Sequence, residues 1–254
     1  MKKINLPDGT EIYCLKSAEA VVLDDHIKGY FNHGISIKKG DVIFDIGANI
    51  GVFGLRASQE FKDLEIHCFE PVPQIFEVLT ENVKLSLNPN FHAYQMGLGS
   101  KSDNISFTYF PNSPALSTSN PELWEKDPKA FQKAVRGSIK NSPDSFWWSI
   151  LIPGFMIPLI SWYLKKGKQT MNCEVATISH IINLKQINKI DLLKMDCEGH
   201  EWEVIKGIKD QDWNKIKSIV MEVHNIDNRA QKVESILKDK GFNKITLEKE
   251  KALE

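Results

Sequence analysis

The segment GDVIFDIGANIGVFG, residues 40–54, carries the first residues whose spacing suggests chemistry. An apolar run, Val42-Ile43-Phe44, ends in Asp45 and breaks into Gly47-Ala48-Asn49-Ile50-Gly51. A strand entering a glycine turn and a helix lets backbone N–H groups approach a nucleotide-like cofactor. The dinucleotide pattern is G-x-G-x-x-G, built for a pyrophosphate. Here the spacing is D-x-G-x-x-x-G: Asn49 stands at the middle glycine, and Asp45 would repel phosphate. S-adenosylmethionine has no phosphate and offers a sulfonium, an ammonium, a carboxylate and a ribose. Asp45 suits its cationic end, Gly47 and Gly51 allow close approach, and Asn49 suits the methionine portion. Glu70, closing the next strand-like run, suits the ribose hydroxyls. Pro71 shapes that turn, and Gly97 to Ser100 fall where the adenine edge belongs.

A second constellation lies in LLKMDCEGHEWEV and IVMEVH. Asp196 and Glu198 follow one apolar run, and Glu222 and His224 close the next. Residues two apart on a strand share a face, so Glu222 and His224 are expected to project together, and Glu198 comes within reach of His224 if the two runs are neighbouring strands. Methyl transfer to an alcohol needs the acceptor aligned and its proton removed. His224 is the expected base, with Glu198 or Glu222 orienting the ring. His200 is read as a helix cap and His33 as a packing residue. A Mg²⁺ site drawn from Asp196, Glu198, His200, Glu222 and His224 is the competing reading. Its spacing matches no ligand pattern, so no metal is assigned.

The elements that must position these groups alternate along the chain. Strand-like runs occupy Val42–Asp45, Glu65–Glu70, His92–Gln95, Ile190–Asp196, Ser218–His224 and Phe242–Leu247, with helical periodicity over Pro73–Leu87 and Arg229–Lys240. The pattern predicts one α/β domain spanning 1–254, a doubly wound and mostly parallel sheet with helices on both faces. Residues 1–39 form a lead-in. Residues 111–171 break the rhythm and are read as an inserted hydrophobic helical lid. Its stretch SFWWSILIPGFMIPLISWYL, 145–164, is long enough to span a bilayer. A span would put strands of one sheet on opposite sides of the membrane, so a lid is expected, or a patch for peripheral membrane or partner contact. Trp147, Trp148, Phe155 and Trp162 either wall an apolar acceptor or pack the insertion's own core.

Composition narrows the function. Lys and Arg number 32 against 33 Asp and Glu, so no global basic excess points to nucleic acid. The position where amino-methylating enzymes of nucleic acid carry an Asn/Asp-Pro-Pro-aromatic motif reads Asp196-Cys197-Glu198-Gly199. Cys14, Cys68, Cys173 and Cys197 are scattered without a C-x-x-C pair, and MKKINLPDGTEIY has no apolar signal core. A cytoplasmic protein with reduced thiols is expected.

FDIGANIGVF, CFEPVPQIFEVLTENV, LLKMDCEGHEWEVIKGI and IVMEVH, in this order, resemble the FkbM-type S-adenosylmethionine-dependent methyltransferases. The segment EIYCLKSAEAVVLDDHIKGYFNHGISIKKGD is similar to the lead-in of O-methyltransferase domains of polyketide assembly lines. The resemblance implies a class I methyltransferase sheet and transfer to oxygen on a small-molecule or carrier-protein-bound acyl acceptor. N-methylation of a small molecule, NAD(P)-dependent oxidoreduction and a non-catalytic docking module are the alternatives. The C-terminal KITLEKEKALE leaves no obvious final antiparallel strand.

Overall fold

The computed structural model describes residues 1–30, 35–121, 128–140, 144–224 and 228–248. The chain opens with an antiparallel hairpin, β1 (Lys2–Asn5) and β2 (Glu11–Cys14), that the sequence pattern did not reveal, followed by helix α1 (Ser17–Tyr30). Then β3 (Val42–Ile46), α2 (Val52–Glu60), β4 (Glu65–Phe69), α3 (Pro73–Leu85) and β5 (Phe91–Tyr94) follow in strict alternation. After them come β6 (Gly97–Leu98), β7 (Asp103–Tyr109) and, beyond a long excursion, β8 (Gln169–Ala176). The excursion carries α4 (Pro128–Lys140) and α5 (Ile157–Lys165). The chain then resumes with α6 (Ile178–Leu184), β9 (Leu192–Met195), α7 (Glu201–Lys206), β10 (Ile219–Met221) and α8 (Arg229–Asp239).

The main sheet has the order β10-β9-β3-β4-β5, with every neighbouring pair parallel. From β3 the chain steps outward through β4 and β5, then returns to lay β9 on β3's other side. The switch point therefore lies between β3 and β9, where open α/β sheets bind their ligands. Both faces are covered, so each strand feeds two cores in alternation. Ile43, Ile66 and Leu192 pack toward α1, α2 and α3. Phe44, Phe69, Leu193 and Met195 pack toward α6, α7 and α8.

Three sequence expectations change. The run Ser218–His224 is a strand only to Met221, which leaves Glu222 and His224 beyond its end. The run Phe242–Leu247 pairs with no strand among the described residues. Phe242 and Ile245 instead rest half-buried on the second core, Phe242 edge-on to Trp213. The excursion begins and ends in an antiparallel ribbon of β7 and β8, with β6 added parallel to β8. Residues 169–171, read as part of the insertion, therefore belong to β8. The excursion has a small core of its own, formed by Phe110, Phe131, Val135 and Ile157. No helix among the described residues is long and apolar enough to cross a membrane.

Candidate active site

The glycine loop sits at the switch point. Gly47 and Ala48 both donate backbone N–H groups to Phe69 O at 3.1 Å, tying the loop to the end of β4. Gly47 has φ of 71°, and a Cβ there would lie 1.8 Å from the Asp196 carbonyl oxygen, so the loop passes β9 with no room for a side chain. At Asn49, φ is 50°, a left-handed conformation Asn tolerates better than most residues. The Asn49 N–H donates to Glu70 Oε2 at 3.2 Å and the Val72 N–H to Oε1 at 2.9 Å. Burial pushes the Glu70 carboxyl up to about 7 against the pull of these two donors. Glu70 thus stands at the strand end, braced against the glycine loop. Gly97 opens β6 beside Pro71, where an added Cβ would come 3.7 Å from the Pro71 Cβ.

Asp45 corrects one expectation. It was read as facing the cofactor's cationic end, but it is fully buried inside β3. Parallel register sets it between Lys194 on β9 and Cys68 on β4. Its Oδ1 lies 3.0 Å from Lys194 Nζ, and Cys68 Sγ donates to Oδ2 at 3.6 Å. Lys194 Nζ also donates to Gly47 O at 3.2 Å. Burial alone would strip the proton from Lys194, but Asp45 and Asp196 outweigh it and hold the ammonium charged. Asp45 acts through Lys194 on the loop. A lysine inside an otherwise apolar parallel strand, LLKM, was the available signal, since such a lysine needs a carboxylate partner.

At the ends of β9 and β10 the polar residues separate into two groups. In the first, His224 Nε2 lies 3.5 Å from Glu198 Oε2, and Nδ1 lies 3.6 Å from Glu201 Oε1. Glu201, absent from the sequence reading, is 1% exposed, and its Oε1 accepts from the N–H groups of Cys197 and Gly199 at 3.1 and 3.0 Å. It ties the turn at 197–199 together, where Glu198 and Gly199 both have positive φ, 49° and 93°. Arg229 Nη1 donates to Gly199 O at 2.8 Å from the start of α8. Burial would lower the His224 pKa, but the flanking carboxylates of Glu198 and Glu201 prevail and raise it to about 11. The pull of the two carboxylates opposes the near-neutral titration expected of a general base. Burial raises Glu198, against the pull of the same histidine.

The second group holds Glu222, Asp196, His26 and Tyr30. Glu222 Oε2 is 4.0 Å from His26 Nε2, and the Tyr30 hydroxyl donates to Asp196 Oδ2 at 3.2 Å. Glu222 and His224 therefore meet different partners, because the strand that would have aligned them has already ended. The five residues considered for Mg²⁺ are not gathered in one place. His26, Asp196 and Glu222 offer ligand-type atoms within 4.8 Å of one another, a different grouping that brings in a residue from α1. His200 precedes α7 without a side-chain cap, and its Nδ1 lies 3.0 Å from Ser119 Oγ. His33 lies outside the described residues.

The first limb of the excursion leans on this site. The Ala115 N–H donates to Glu19 Oε1 at 2.7 Å, and Thr118 Oγ1 donates to Glu198 O at 2.9 Å. The aromatics expected to wall an acceptor or pack the insertion face elsewhere: Trp148, Phe155 and Trp162 are exposed. The Trp147 side chain is not among those described.

The polar side chains converging on the switch point are largely carboxylates: Glu70, Asp196, Glu198 and Glu222. Such a set accepts hydroxyls and cations and repels a pyrophosphate, which fits S-adenosylmethionine and not a dinucleotide. A five-stranded parallel sheet with its glycine loop at this point is consistent with a Rossmann-like methyltransferase fold. The chain matches the methyltransferase FkbM domain over residues 45–244 and belongs to that family. It is 33% identical to methyltransferase sdnD of Sordaria araneosa over 79% of this chain and 73% of that one. It is 26% identical to 31-O-demethyl-FK506 methyltransferase FkbM of Streptomyces tacrolimicus over 95% and 89%. Hexuronic acid methyltransferase AglP of Haloferax volcanii is 23% identical over 74% and 57%. No solved structure matches. The protein is a methyltransferase.

Proposed function

We propose that the chain is an S-adenosylmethionine-dependent O-methyltransferase acting on a hydroxyl of a small molecule or a carrier-bound acyl chain, in a reducing compartment such as the cytoplasm. The observation that carries this reading is the line Glu198–His224–Glu201 beside the glycine loop. One relative's name, 31-O-demethyl-FK506 methyltransferase, specifies an oxygen acceptor, which supports the choice of atom. The four unpaired cysteines suit the compartment.

S-adenosylmethionine would supply an electrophilic methyl group, held by the Gly47–Gly51 loop, Glu70 and the carboxylates near Asp196. This chain's residues bind, orient and move the proton. Glu201, fixed by two backbone N–H groups, lies 3.6 Å from Nδ1, an ion-pair contact that would have to shorten to orient the ring as a triad carboxylate does. An acceptor hydroxyl would reach Nε2 only by displacing Glu198 Oε2, which lies 3.5 Å from it. Displacement weakens the support Glu198 gives to the histidinium, so the His224 pKa falls and its proton leaves to solvent. With S-adenosylmethionine bound, Nε2 would then be placed to take the proton of the acceptor hydroxyl.

Calorimetric titration with S-adenosylmethionine, S-adenosylhomocysteine and NADH tests the cofactor. The first two should bind and NADH should not; the reverse pattern would end this reading. A hydroxy-acceptor screen that reads S-adenosylhomocysteine release tests the rest. His224→Ala should lower turnover by ~10²–10⁴ with cofactor binding retained. Unchanged turnover would remove His224 from the chemistry.

A further inference from the structure

We infer that the excursion between β7 and β8 is a docking face for an anionic lipid bilayer, seated on the surface without crossing it. The inference is independent of methyl transfer. Helix α5 is apolar almost all round its circumference, as buried or membrane-associated helices are, yet only part of it is covered. Ile157 and Ser161 point into the excursion's small core. Leu159, Trp162 and Tyr163, at i, i+3 and i+4, form an exposed face on the other side. Trp148, Leu151 and Phe155 extend this surface toward the turn at Gly154–Met156, with exposures from 51% at Trp148 to 81% at Phe155. So dense a run of exposed large apolar side chains is unusual for a surface in contact only with water.

Charge selects the occupant. Residues 110–168, the whole excursion, hold seven lysines and one arginine against four acids, although the whole chain has a net charge of −1. Helix α4 turns Phe131 and Val135 inward, while Lys129, Lys133, Arg136 and Lys140 are exposed. Its cationic side abuts the apolar turn, since a Cβ on Gly154 would lie 3.0 Å from Arg136 Nη2. At the other end of α5, Lys166 Nζ sits 5.3 Å from the Trp162 ring centre. Apolar and aromatic side chains flanked by cations are the composition of an interfacial anchor. The hydrocarbon and indole groups enter the headgroup boundary and the cations meet anionic lipid. An acidic protein partner could also cover the apolar side chains, but aromatic side chains bordered by cations, with Lys166 against Trp162, favour the bilayer, and failure to bind vesicles would point to the protein instead.

The test is co-sedimentation of the full chain with vesicles of phosphatidylcholine alone and of phosphatidylcholine doped with phosphatidylglycerol. Binding should favour the doped vesicles and weaken with salt. The triple variant Phe155→Ser/Leu159→Ser/Trp162→Ser should lose binding by on the order of a hundred-fold or more. Lys133→Glu/Lys166→Glu should lose about five-fold per lysine neutralised and more on reversal. Circular dichroism should show both variants folded, because all five side chains are exposed. Failure to bind either vesicle would overturn the proposal, as would binding that the triple variant retains. A free protein that sediments as a dimer, ignores vesicles and becomes monomeric in the triple variant would assign the face to a second copy and overturn it equally.

Discussion

The carboxyl end of the sheet and the excursion invert the ordinary rule of burial in opposite senses. The sheet end buries charge: Asp45 and Lys194 are all but inaccessible, Glu70 and Glu201 nearly so. The excursion leaves Phe155, Leu159 and Trp162 exposed. Each departure costs free energy in isolation, and each is tolerated for a different reason. The buried charges are paired or hydrogen-bonded, so their cost is offset inside the fold. Among the described residues, cover for the exposed hydrocarbon is limited to contacts such as Lys166 against the Trp162 ring, and the proposed bilayer would supply the rest. The contrast separates a region whose buried charges meet partners within the fold from one whose apolar side chains face outward.

The strongest way to break this contrast is at the buried pair. Lys194→Met should destabilise the protein by about 3–5 kcal/mol, because it strands the Asp45 carboxylate in an apolar strand. Adding Asp45→Asn should recover part of the loss. Denaturant unfolding of the two variants reads it, and a loss no smaller in the double variant would show that the pair is not the unit argued here.

A smaller effect should come from His224. Its folded pKa is raised from 6.5 to about 11, so its contribution to stability is fully present below pH 6.5 and is lost as pH rises toward 11. Glu201, whose pKa is lowered despite burial by His224 and the backbone donors, has the opposite dependence. Its contribution is present above its ordinary value and fades as pH falls through the lowered one. Wild type should therefore exceed His224→Gln by about 2 kcal/mol near neutrality, with the gap closing on the alkaline side. A gap that widens with pH would mean that the histidine is neutral in the fold.

The smallest effect belongs to the excursion. Phe155→Ser and Trp162→Ser should each change stability in vesicle-free buffer by no more than about 0.5 kcal/mol, since neither side chain is buried. A thermal melt that falls as steeply as for Lys194→Met would show that the two regions do not differ in kind.

Much of this arrangement was legible in the chain. The alternation of apolar runs and amphipathic stretches is imposed by backbone periodicity, so it identified the doubly wound sheet, the strand bearing Asp45 and the helix over Pro73–Leu87, which ends two residues earlier at Leu85. Local spacing also picked out Gly47 and Gly51, whose positive φ is a property of the turn itself. The β7–β8 ribbon was hidden because its partners are separated by the whole excursion, and pairing at that range leaves no local pattern. Glu201 gave no signal in the sequence, because an acid in the first turn of a helix is common and only the turn at 197–199 brings its carboxylate to His224. Asp45 was read as a cofactor contact because sequence order places it beside the loop, whereas strand register turns it toward Lys194. The sequence alone therefore determined the class of fold and the residue types at the switch point, since both follow from short-range periodicity and turn geometry. Which carboxylate faces which cation was decided only by the tertiary structure, because parallel register and the β10 end at Met221 bring together residues that the chain keeps far apart.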